Sequence, residues 1–494
     1  MANLPRELYT AAQVRQFDQR AIEVMGVDSY GLMLRAGQAA FSSLRNRWPF
    51  AQRVLIVCGA GNNGGDGLVV ARLAHDSGLD VSVVLLADAN KFTGAAANAW
   101  RDYRAASGVV SDNLAGALAQ AEVVVDAIFG IGLDRPVKDN EYAAIKSVND
   151  SRRPILALDI PSGLHADRGV ALGIAVNATL TLSFIALKQG LFTGQARHHC
   201  GEVRLADLGV PAQVLAETQA TALRFGVADI RGHLAPRSRV AHKGDNGFVA
   251  VLGGDEGMAG AACLAGMAAA RAGAGWVCVA TQPAHVAVVV AQQPELLCRG
   301  VTQRSDVQAI VARADVIAVG PGLGKSAWSQ LLWNCACDTA TPLIVDADAL
   351  NLLAVDPARR DNWILTPHPG EAARLLQCDV ASIEQDRYAA VTALQQRYGG
   401  VCVLKGAGTL IANGRDPIVV IETGNPGMAS GGMGDVLTGV IAALLAQGLS
   451  LSAAANVGAA LHGAAGDAAA VDGERGMLAS DLLPKIRRLV NAAP

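Results

Sequence analysis

Short apolar segments rich in β-branched residues alternate along the chain with longer segments in which apolar residues recur every three or four positions. The first kind predicts strands buried on both faces, and the second predicts helices that pack against them. In the first half the predicted strands are Val54–Cys58, Val81–Ala87, Val123–Ile128 and Ile155–Leu158, with further strand-like material in Ala175–Leu187 and Val203–Leu205. Helical spacing precedes them over residues 10–48. This alternation is typical of βαβ units and predicts a parallel sheet.

The pattern weakens around residues 215–230 and then starts again, which predicts a second α/β domain. Its predicted strands are Phe248–Gly254, Val277–Ala280, Val316–Val319, Leu343–Val345, Trp363–Leu365 and Val401–Leu404. Helical spacing marks Ala259–Ala272 and dominates the end of the chain, over Gly434–Gln447 and Ala453–Val471. We therefore predict two domains, residues 1–220 and 221–494.

Composition agrees with this fold class. Hydrophobic residues make up 51% of the 494 residues but aromatic residues only 4%, so Ala, Val and Leu supply most of the apolar content. Glycine accounts for 54 residues, above the ~7% of average usage. Such a composition suits buried strands, closely packed helices and glycine turns, and it argues against a disordered or fibrous chain.

Charge and cysteine usage narrow the function classes. Lys and Arg total 41 against 44 Asp and Glu, a net charge of −3, which provides no basic surface for nucleic acid or an anionic membrane. No apolar segment reaches the length of a membrane span, and the first ten residues lack the apolar stretch of a signal peptide. Nine scattered cysteines read as reduced core residues. We expect a cytoplasmic protein that acts on small molecules.

A glycine-rich turn follows the first predicted strand. Gly59, Gly61 and Gly64 fit the pattern G-x-G-x-x-G, with Asp80 about twenty residues further on, which indicates a dinucleotide held at a helix N-terminus. The alternative is a tight strand-to-helix turn without a ligand. The oxygen-bearing side chains of Asn62, Asn63 and Asp66 favour the ligand, because a turn by itself does not need them.

Polar residues also end two later strands of the first half. Asp126 ends one strand before a glycine loop, while Asp159 and Ser162 follow the next. The carboxyl ends of parallel strands share one edge of the sheet, so Asn63, Asp126, Asp159 and Ser162 are expected to lie close together. Their oxygens suit a hard cation. The alternative is that each side chain only caps the helix that follows it.

The second half carries a phosphate-type pattern, Asn425–Asp435, which runs into a helix. Backbone N–H groups at that helix start would hold a phosphoryl group, and Asp435 could accept the proton of an attacking hydroxyl. Lys405–Thr409 offers a cation and a small loop for a nucleotide. Gly320–Ser326 is close to a Walker loop, but Val319 stands where that motif requires glycine, so we interpret it as a substrate-side turn.

Three further polar residues end strands in the second half. His368 lies between two prolines, which favours a fixed ring facing a ligand, although a lone histidine is more often structural. Asp346 and Asp348 are candidates for substrate hydroxyls or Mg²⁺, with capping of the next helix as the alternative.

Taken together, these motifs resemble the bifunctional NAD(P)H-hydrate repair enzymes, over nearly the whole chain and in the family's order. The resemblance rests on Gly59–Gly67, Val125–Gly132 and Leu158–Gly163 in the first half, and on Gly320–Gly324, Asp346–Asn351, Thr366–Glu371, Lys405–Thr409 and Asn425–Asp435 in the second. It implies a Rossmann-like three-layer sandwich that epimerises the R and S hydrates of NADH and NADPH (NADHX and NADPHX), followed by a ribokinase-like domain that dehydrates the S hydrate with ADP or ATP.

The resemblance also implies residue roles. Asp159 and Asp435 would be the acid–base residues of the two domains. The hydrate would contact Asp159 and the loop residues Asn62, Asn63, Gly64, Gly65, Asp66, Gly130, Ile131, Gly132, Leu133, Asp134, Arg135 and Pro136 in the first domain, and Gly322, His368 and Asp435 in the second. K⁺ would bind Asn63, Asp126 and Ser162. The nucleotide, with Mg²⁺, would bind Lys405, Gly406, Ala407, Gly408, Thr409 and Gly434.

Two other functions remain open at this stage. The second half could be a small-molecule kinase fused to a non-catalytic ligand-binding domain, because the sequence does not show whether elimination follows phosphorylation. The first half could be an NAD-dependent dehydrogenase, although no second domain with a hydride-transfer site precedes the phosphoryl-transfer half. We expect a homo-oligomer.

Overall fold

The computed structural model describes residues 4–491, which divide after Leu223 into two compact units. The first unit contains β1 (Glu7–Leu8), α1 (Ala11–Met25), α2 (Ser29–Arg47), β2 (Arg53–Cys58), α3 (Asn62–Asp76), β3 (Asp80–Leu85), α4 (Gly94–Ala105), α5 (Leu114–Gln120), β4 (Val123–Ala127), α6 (Asp139–Asp150), β5 (Ile155–Leu158), β6 (Leu180–Phe184), α7 (Ala196–His199), β7 (Glu202–Ala206) and α8 (Ala212–Ala216). Strand β8 (Ala222–Phe225) carries the boundary between the units.

Six parallel strands form the central sheet of the first unit, in the order β3-β2-β4-β5-β6-β7. Alternate residues of β2 enter two different cores. Val54 and Ile56 join a core with α1 to α4, whereas Leu55 and Val57 join one with α5 and α6. Since successive side chains of a strand point to opposite faces, helices cover both faces of the sheet. The predicted three-layer α/β arrangement is confirmed.

The helical pattern over residues 10–48 resolves into two helices with defined ends. Thr10 forms a capping box with Gln13 at the start of α1, and Gly26 ends that helix in a left-handed conformation (φ 61°). Asp28 then caps α2 by accepting a hydrogen bond from the Gly31 amide. Local capping chemistry therefore turns the chain before the first strand of the sheet.

The second unit alternates strands and helices before it ends in three helices. Its elements are α9 (Val227–Ile230), β9 (Phe248–Leu252), α10 (Ala259–Ala272), β10 (Trp276–Thr281), α11 (Val286–Gln292), β11 (Leu297–Gly300), α12 (Arg304–Val311), β12 (Val316–Val319), α13 (Ala327–Cys337), β13 (Leu343–Val345), α14 (Ala347–Val355), β14 (Trp363–Leu365), α15 (Pro369–Leu376), α16 (Val380–Gln385), α17 (Arg387–Tyr398), β15 (Val401–Leu404), β16 (Leu410–Ala412), β17 (Ile418–Ile421), α18 (Met433–Ala446), α19 (Leu451–Ala469) and α20 (Leu482–Leu489).

Its sheet runs β17-β16-β15-β14-β13-β12-β9-β10-β11, parallel from β15 to β11 and antiparallel at β16 and β17. The predicted strands are all present. Strands β11, β16 and β17 were not predicted. Strand β11 is a largely exposed edge strand, and β16 and β17 pair antiparallel with no helix between them, outside the strand–helix alternation. On one face, Val249 and Val251 of β9 pack with α10, α18, α19 and α20.

Strand order reverses once within each parallel array. In the first unit β2 lies between β3 and β4, and in the second β9 lies between β10 and β12. The reversal falls between β2 and β4 in the first unit and between β9 and β12 in the second. The connections from the two strands of each pair run in opposite directions, which opens a crevice at the carboxyl ends of that pair. The glycine loops 59–65 and 320–324 follow β2 and β12, so both lie at these crevices.

Within residues 4–491, no helix is both long enough and apolar enough to cross a membrane.

Candidate active sites

A cavity of about 740 Å³ opens at the carboxyl end of the first unit's sheet, within the ~300–1,000 Å³ typical of small-molecule sites. Ten of the predicted substrate-binding residues line it: Asn62, Asn63, Asp66, Gly130, Ile131, Gly132, Leu133, Asp134, Arg135 and Asp159. Three others, Gly64, Gly65 and Pro136, are not among its lining residues. The two glycines meet a packing demand instead, because a Cβ atom at Gly64 would lie 2.0 Å from the Gly59 carbonyl oxygen.

Asp159 is held in an unusual backbone conformation directly after β5. Its φ is +64°, a region that residues with a side chain rarely adopt. Its Oδ1 accepts hydrogen bonds from the Lys188 ammonium and from the Phe184 amide, the latter at 3.1 Å. Lys188 is fully buried and also donates to Ser183 Oγ and to the Phe184 carbonyl. Asp159 therefore has one anchored oxygen, while Oδ2 accepts none of the hydrogen bonds found in the described chain.

Two further carboxyl groups of this cavity have raised pKa values. Burial, reinforced by the Asp159 carboxylate, raises the pKa of Asp18 to about 6, against the opposing effect of Lys188. Burial also raises the pKa of Asp66 well above its usual range, with Asp159 and Asp18 adding to the effect. The sequence analysis missed Asp18 and Lys188. Asp18 lies inside an ordinary amphipathic helix and Lys188 follows a strand by four residues, so neither stands in a recognisable motif.

Asn63, Asp126 and Ser162 converge around the backbone of Phe129. Asn63 Nδ2 donates to the Phe129 carbonyl at 2.9 Å, and Ser162 Oγ accepts from the Phe129 amide at 2.8 Å. Ser162 Oγ also donates to Asp126 Oδ1, and the Ser162 amide donates to Asp126 Oδ2 at 2.8 Å. These bonds link two strand ends, so neither Asp126 nor Ser162 serves as the helix cap considered above.

The side-chain oxygen Oδ1 of Asn63 is buried and has no hydrogen-bond partner. An orphaned buried oxygen is costly unless something compensates it. Burial raises the pKa of Asp126 to about 6, partly offset by the bonds from Ser162. A cation here would satisfy the Asn63 oxygen and favour ionised Asp126. With only one carboxylate, the donor set suits a monovalent ion better than Mg²⁺.

The second site is organised around a buried ion pair. Lys405 Nζ donates to Asp346 Oδ1 at 2.8 Å, while Thr366 Oγ1 and Thr438 Oγ1 donate to the two oxygens of that carboxylate at 2.8 and 2.9 Å. Burial would raise the pKa of Asp346, but Lys405 and these hydroxyls hold it below its usual range. Asp346 makes no side-chain capping bond to α14. It therefore joins the ends of β13, β14 and β15 to helix α18.

Glu371 extends this network to His368. Its Oε2 accepts a hydrogen bond from the His368 amide at 2.8 Å and lies 3.8 Å from Lys405 Nζ. His368 Nδ1 accepts from the Gly370 amide at 2.9 Å, which fixes the ring at the start of α15 with about half of the side chain exposed. Burial, followed by the effect of Lys405, lowers the pKa of His368, so the neutral imidazole is favoured.

Helix α18 begins beside the ion pair. Its N-cap is Gly432, which has a positive φ of 86° and makes no side-chain cap bond. The leading amide N–H groups of a helix lack internal partners, so this start can bind an anion. A Cβ atom at Gly434 would lie 3.3 Å from Lys405 Nζ and 3.4 Å from Asp346 Oδ2, which leaves little room for a side chain.

Asp435 stands in the first turn of α18. Burial, reinforced by the charge of Asp346, raises the pKa of this carboxyl to about 7, although Lys405 acts in the opposite direction. A carboxylate with a pKa near neutrality at an anion-binding helix start can accept a proton while phosphate charge is stabilised beside it.

Asp255 and Asp348 hold the Gly320–Gly324 turn in place. Asp348 Oδ2 accepts from the Gly324 amide at 2.8 Å, and the Asp255 amide donates to the Gly322 carbonyl at 2.7 Å. Asp255 Oδ2 accepts from Ser326 Oγ, the residue that caps α13. Lys325 is exposed. The segment is therefore a turn held in place by Asp255 and Asp348, and its contact with a substrate stays a prediction.

The loop Lys405–Thr409 leaves the end of β15. Thr409 Oγ1 donates to the Gly406 carbonyl at 3.0 Å and closes a short turn, with Gly406 and Ala407 exposed and Gly408 buried. Buried Arg387 supports the loop from below by donating to the carbonyls of Leu404 and Lys405. The sequence analysis did not identify Arg387, because an arginine within an amphipathic helix carries no signal of burial.

Comparison with known proteins assigns each unit to a family. The profile described as "NAD(P)H-hydrate dehydratase" matches residues 249–488, and the one described as "YjeF-related protein N-terminus" matches residues 29–190. The second unit is similar to a ribokinase-like superfamily protein from Enterococcus faecalis, with a TM-score of 0.51 and 26% identity over 55% of this chain and 95% of that one.

Full-length relatives carry both units in one chain. A bifunctional NAD(P)H-hydrate repair enzyme from Coxiella burnetii is 46% identical over 485 residues, 98% of this chain and 99% of that protein. One from Escherichia coli K12 is 44% identical over 490 residues, 99% and 95% of the two chains. The chain belongs to the bifunctional NAD(P)H-hydrate repair enzymes, with an epimerase unit followed by a dehydratase unit.

Proposed function

We propose that the two units divide the repair of NADHX and NADPHX between the two sites described above. The first unit interconverts the R and S hydrates in the 740 Å³ cavity with Asp159 as an acid–base residue. The second removes water from the S hydrate at the start of α18 with Asp435 as the base. The observation that carries this proposal is Asp435, a carboxyl of pKa about 7 at an anion-binding helix start beside a buried lysine.

Dehydration needs a better leaving group than hydroxide. Asp435 would accept the proton of the hydrate's hydroxyl as its oxygen attacks the terminal phosphoryl group of ADP or ATP, which releases AMP or ADP. The amides at the start of α18 would stabilise the transferring phosphoryl group. The ring nitrogen lone pair then expels phosphate, and loss of a proton from the adjacent ring carbon restores the nicotinamide double bond.

The remaining residues of the second site would position the two substrates. His368, held by Glu371, and the Gly322 turn, held by Asp255 and Asp348, would contact the hydrate. Lys405 to Thr409 and Gly434 would bind the nucleotide. Mg²⁺ would be held chiefly by the nucleotide phosphates, since the described residues contain no cluster of three metal-binding side chains. When bound, Mg²⁺ neutralises phosphate charge.

In the first unit, we assign K⁺ to Asn63, Asp126 and Ser162. The orphaned Asn63 oxygen and the single carboxylate support this assignment. The ion would fix the Phe129 loop, whose continuation from Gly130 to Arg135 lines the cavity.

The cysteines bear on the cellular compartment. Nine free cysteines support a reducing compartment, so we place the enzyme in the cytoplasm. The homo-oligomeric state stays a prediction.

The deciding experiment incubates the purified chain with mixed R and S hydrates of NADH, with and without ADP or ATP, and follows NADH absorbance. Complete recovery with nucleotide requires both activities. Recovery of the S fraction alone would contradict the epimerase role. Nucleotide consumption without NADH formation would instead support the small-molecule kinase.

A further inference from the structure

Among the ionisable side chains that line the first unit's cavity, four come from different parts of the chain and interact electrostatically: Asp18, Asp66, Asp159 and Lys188. Asp18 comes from α1, Asp66 from α3, Asp159 from the end of β5, and Lys188 from the segment after β6. Of these four, only Asp159 has a proton-transfer role in the function proposed above. The other three lie in the same cavity, which raises the question of what each does there.

Lys188 is fully committed to holding Asp159. An ammonium has three N–H donors, and those of Lys188 reach Asp159 Oδ1, Ser183 Oγ and the Phe184 carbonyl. It can therefore donate no hydrogen bond to another carboxylate without losing one of these. Within residues 4–491, the Asp18 carboxylate makes no hydrogen bond and no ion pair, although it is half-buried. A partly desolvated carboxylate without a partner is costly and is typical of functional sites.

Inversion at a ring carbon that carries a hydroxyl and adjoins the ring nitrogen requires two groups that exchange protons, a donor and an acceptor. The hydroxyl must be protonated on one face before it can depart, and the water that adds to the opposite face must lose a proton. A single carboxylate anchored on one side of the ring cannot reach both faces at once.

We propose that Asp18 is the second acid–base group of the epimerase, working with Asp159 across the ring of the bound hydrate. This inference rests on the proposed epimerase function and extends it. Asp18 donates its proton to the departing hydroxyl, the C–O electron pair leaves with water, and the ring nitrogen lone pair forms a C=N bond. Water then adds from the other face, its proton passes to Asp159, and the C=N electron pair returns to nitrogen. The reverse reaction exchanges the two roles, so atoms and charges balance.

The electrostatics of the cavity agree with these roles. Asp18 faces Arg15 on its own helix, Asp66 on α3, and the Asp159–Lys188 pair at the sheet. Its raised pKa, about 6, lets Asp18 carry a proton over part of the neutral range. Burial, followed by the charges of Asp159 and Asp18, raises the pKa of Asp66 well above its usual range, and we assign this residue to hydrogen bonding with the substrate.

The test compares Asp18→Asn with wild type and with Glu23→Gln. Glu23 is an exposed carboxylate on the same helix, so its variant loses the same charge away from the cavity. Conversion of pure R hydrate to S hydrate is measured across pH, together with the melting temperature. Dehydration of pure S hydrate by the same preparation is the internal control.

For Asp18→Asn we expect kcat of epimerisation to fall about 100-fold or more, with little change in KM, because general acid catalysis contributes roughly 10²–10⁴-fold. The decline of wild-type activity as pH rises above about 6 should disappear in this variant. Dehydration by Asp18→Asn and both activities of Glu23→Gln should match wild type, the melting temperature of Asp18→Asn should not fall, and Asp18→Glu should recover part of the lost rate.

Wild-type kcat and pH profile in Asp18→Asn would overturn the inference while leaving the epimerase assignment intact. A loss that is accompanied by a lower melting temperature, and that Asp18→Glu does not recover, would also overturn it, because a structural role would then explain the data. Wild-type protein without any epimerase activity would instead remove the proposed function on which the inference rests.

Discussion

The Lys405 ammonium donates a 2.8 Å hydrogen bond to Asp346 Oδ1, and this pair joins the ends of two strands beside the first turn of α18. The lysine is fixed before any nucleotide arrives, and only 2% of the Asp346 side chain is exposed. The site thus holds its positive charge in place through a buried carboxylate. A nucleotide would meet a preorganised cation rather than a mobile side chain.

Removing Lys405 should destabilise the second unit. Lys405→Met leaves Asp346 buried without its counter-charge, which costs about 3–5 kcal/mol. The measurement is the free energy of unfolding of the second unit, which hydrogen exchange at increasing denaturant concentration reports. Lys325→Met, which removes an exposed lysine of the same unit, is the matched control and should be neutral.

The double variant Lys405→Met, Asp346→Asn should recover part of the lost free energy of unfolding, because the uncompensated charge is gone. An unchanged free energy of unfolding in Lys405→Met would show that the ion pair does not stabilise this unit.

Asp435→Asn should abolish nucleotide-dependent dehydration, with a loss of about 100-fold or more, because an amide cannot accept the hydroxyl proton. Epimerisation of the R hydrate should persist in this variant. The reciprocal control is Asp159→Asn, which should dehydrate S hydrate normally but form it slowly from R hydrate. Loss of both activities in either variant would argue for one shared site.

The dehydratase should depend on pH through Asp435. The pKa of this carboxyl is raised to about 7 and its base form is the reactive one, so kcat/KM should rise with pH through about 7 and level off above it. Below pH 6 the rate should fall about tenfold per pH unit. The residual rate of Asp435→Asn should not show this fall at low pH. A wild-type rate that declines as pH rises through 7 would mean that the group acts as an acid instead.

Potassium should stabilise the first unit and support its activity. At 100 times its Kd, a bound ion raises the free energy of unfolding by about 2.7 kcal/mol. Replacing potassium with tetramethylammonium should therefore lower the melting temperature of this unit and slow epimerisation, while dehydration of S hydrate stays unchanged.

Asn63→Ala and Ser162→Ala should each remove the potassium-dependent shift in melting temperature, because each deletes one oxygen ligand. A shift that persists in both variants would place the ion elsewhere.

The sequence alone was sufficient to predict both α/β units and the edge of each sheet that carries the chemistry. Strands buried on both faces read as continuous apolar segments, and βαβ crossovers make the strands parallel, so their carboxyl ends share one edge. Asn63, Asp126 and Ser162 could be grouped from this rule, since each lies at such an end. Strands β16 and β17 escaped prediction because they form an antiparallel pair with no helix between them, outside the alternation that identified the other strands.

Only the tertiary structure decided which charges meet. Lys188 and Asp159 are 29 residues apart, Asp346 and Lys405 are 59 apart, and Asp346 and Thr438 are 92 apart. No local pattern links residues at such separations, because these distances depend on loop conformations and on how helices settle against the sheet. The same holds for Asp18, whose place in α1 is ordinary in sequence. Its position in the cavity, next to a lysine with no hydrogen bond left to donate, results from the packing of α1 against the sheet edge.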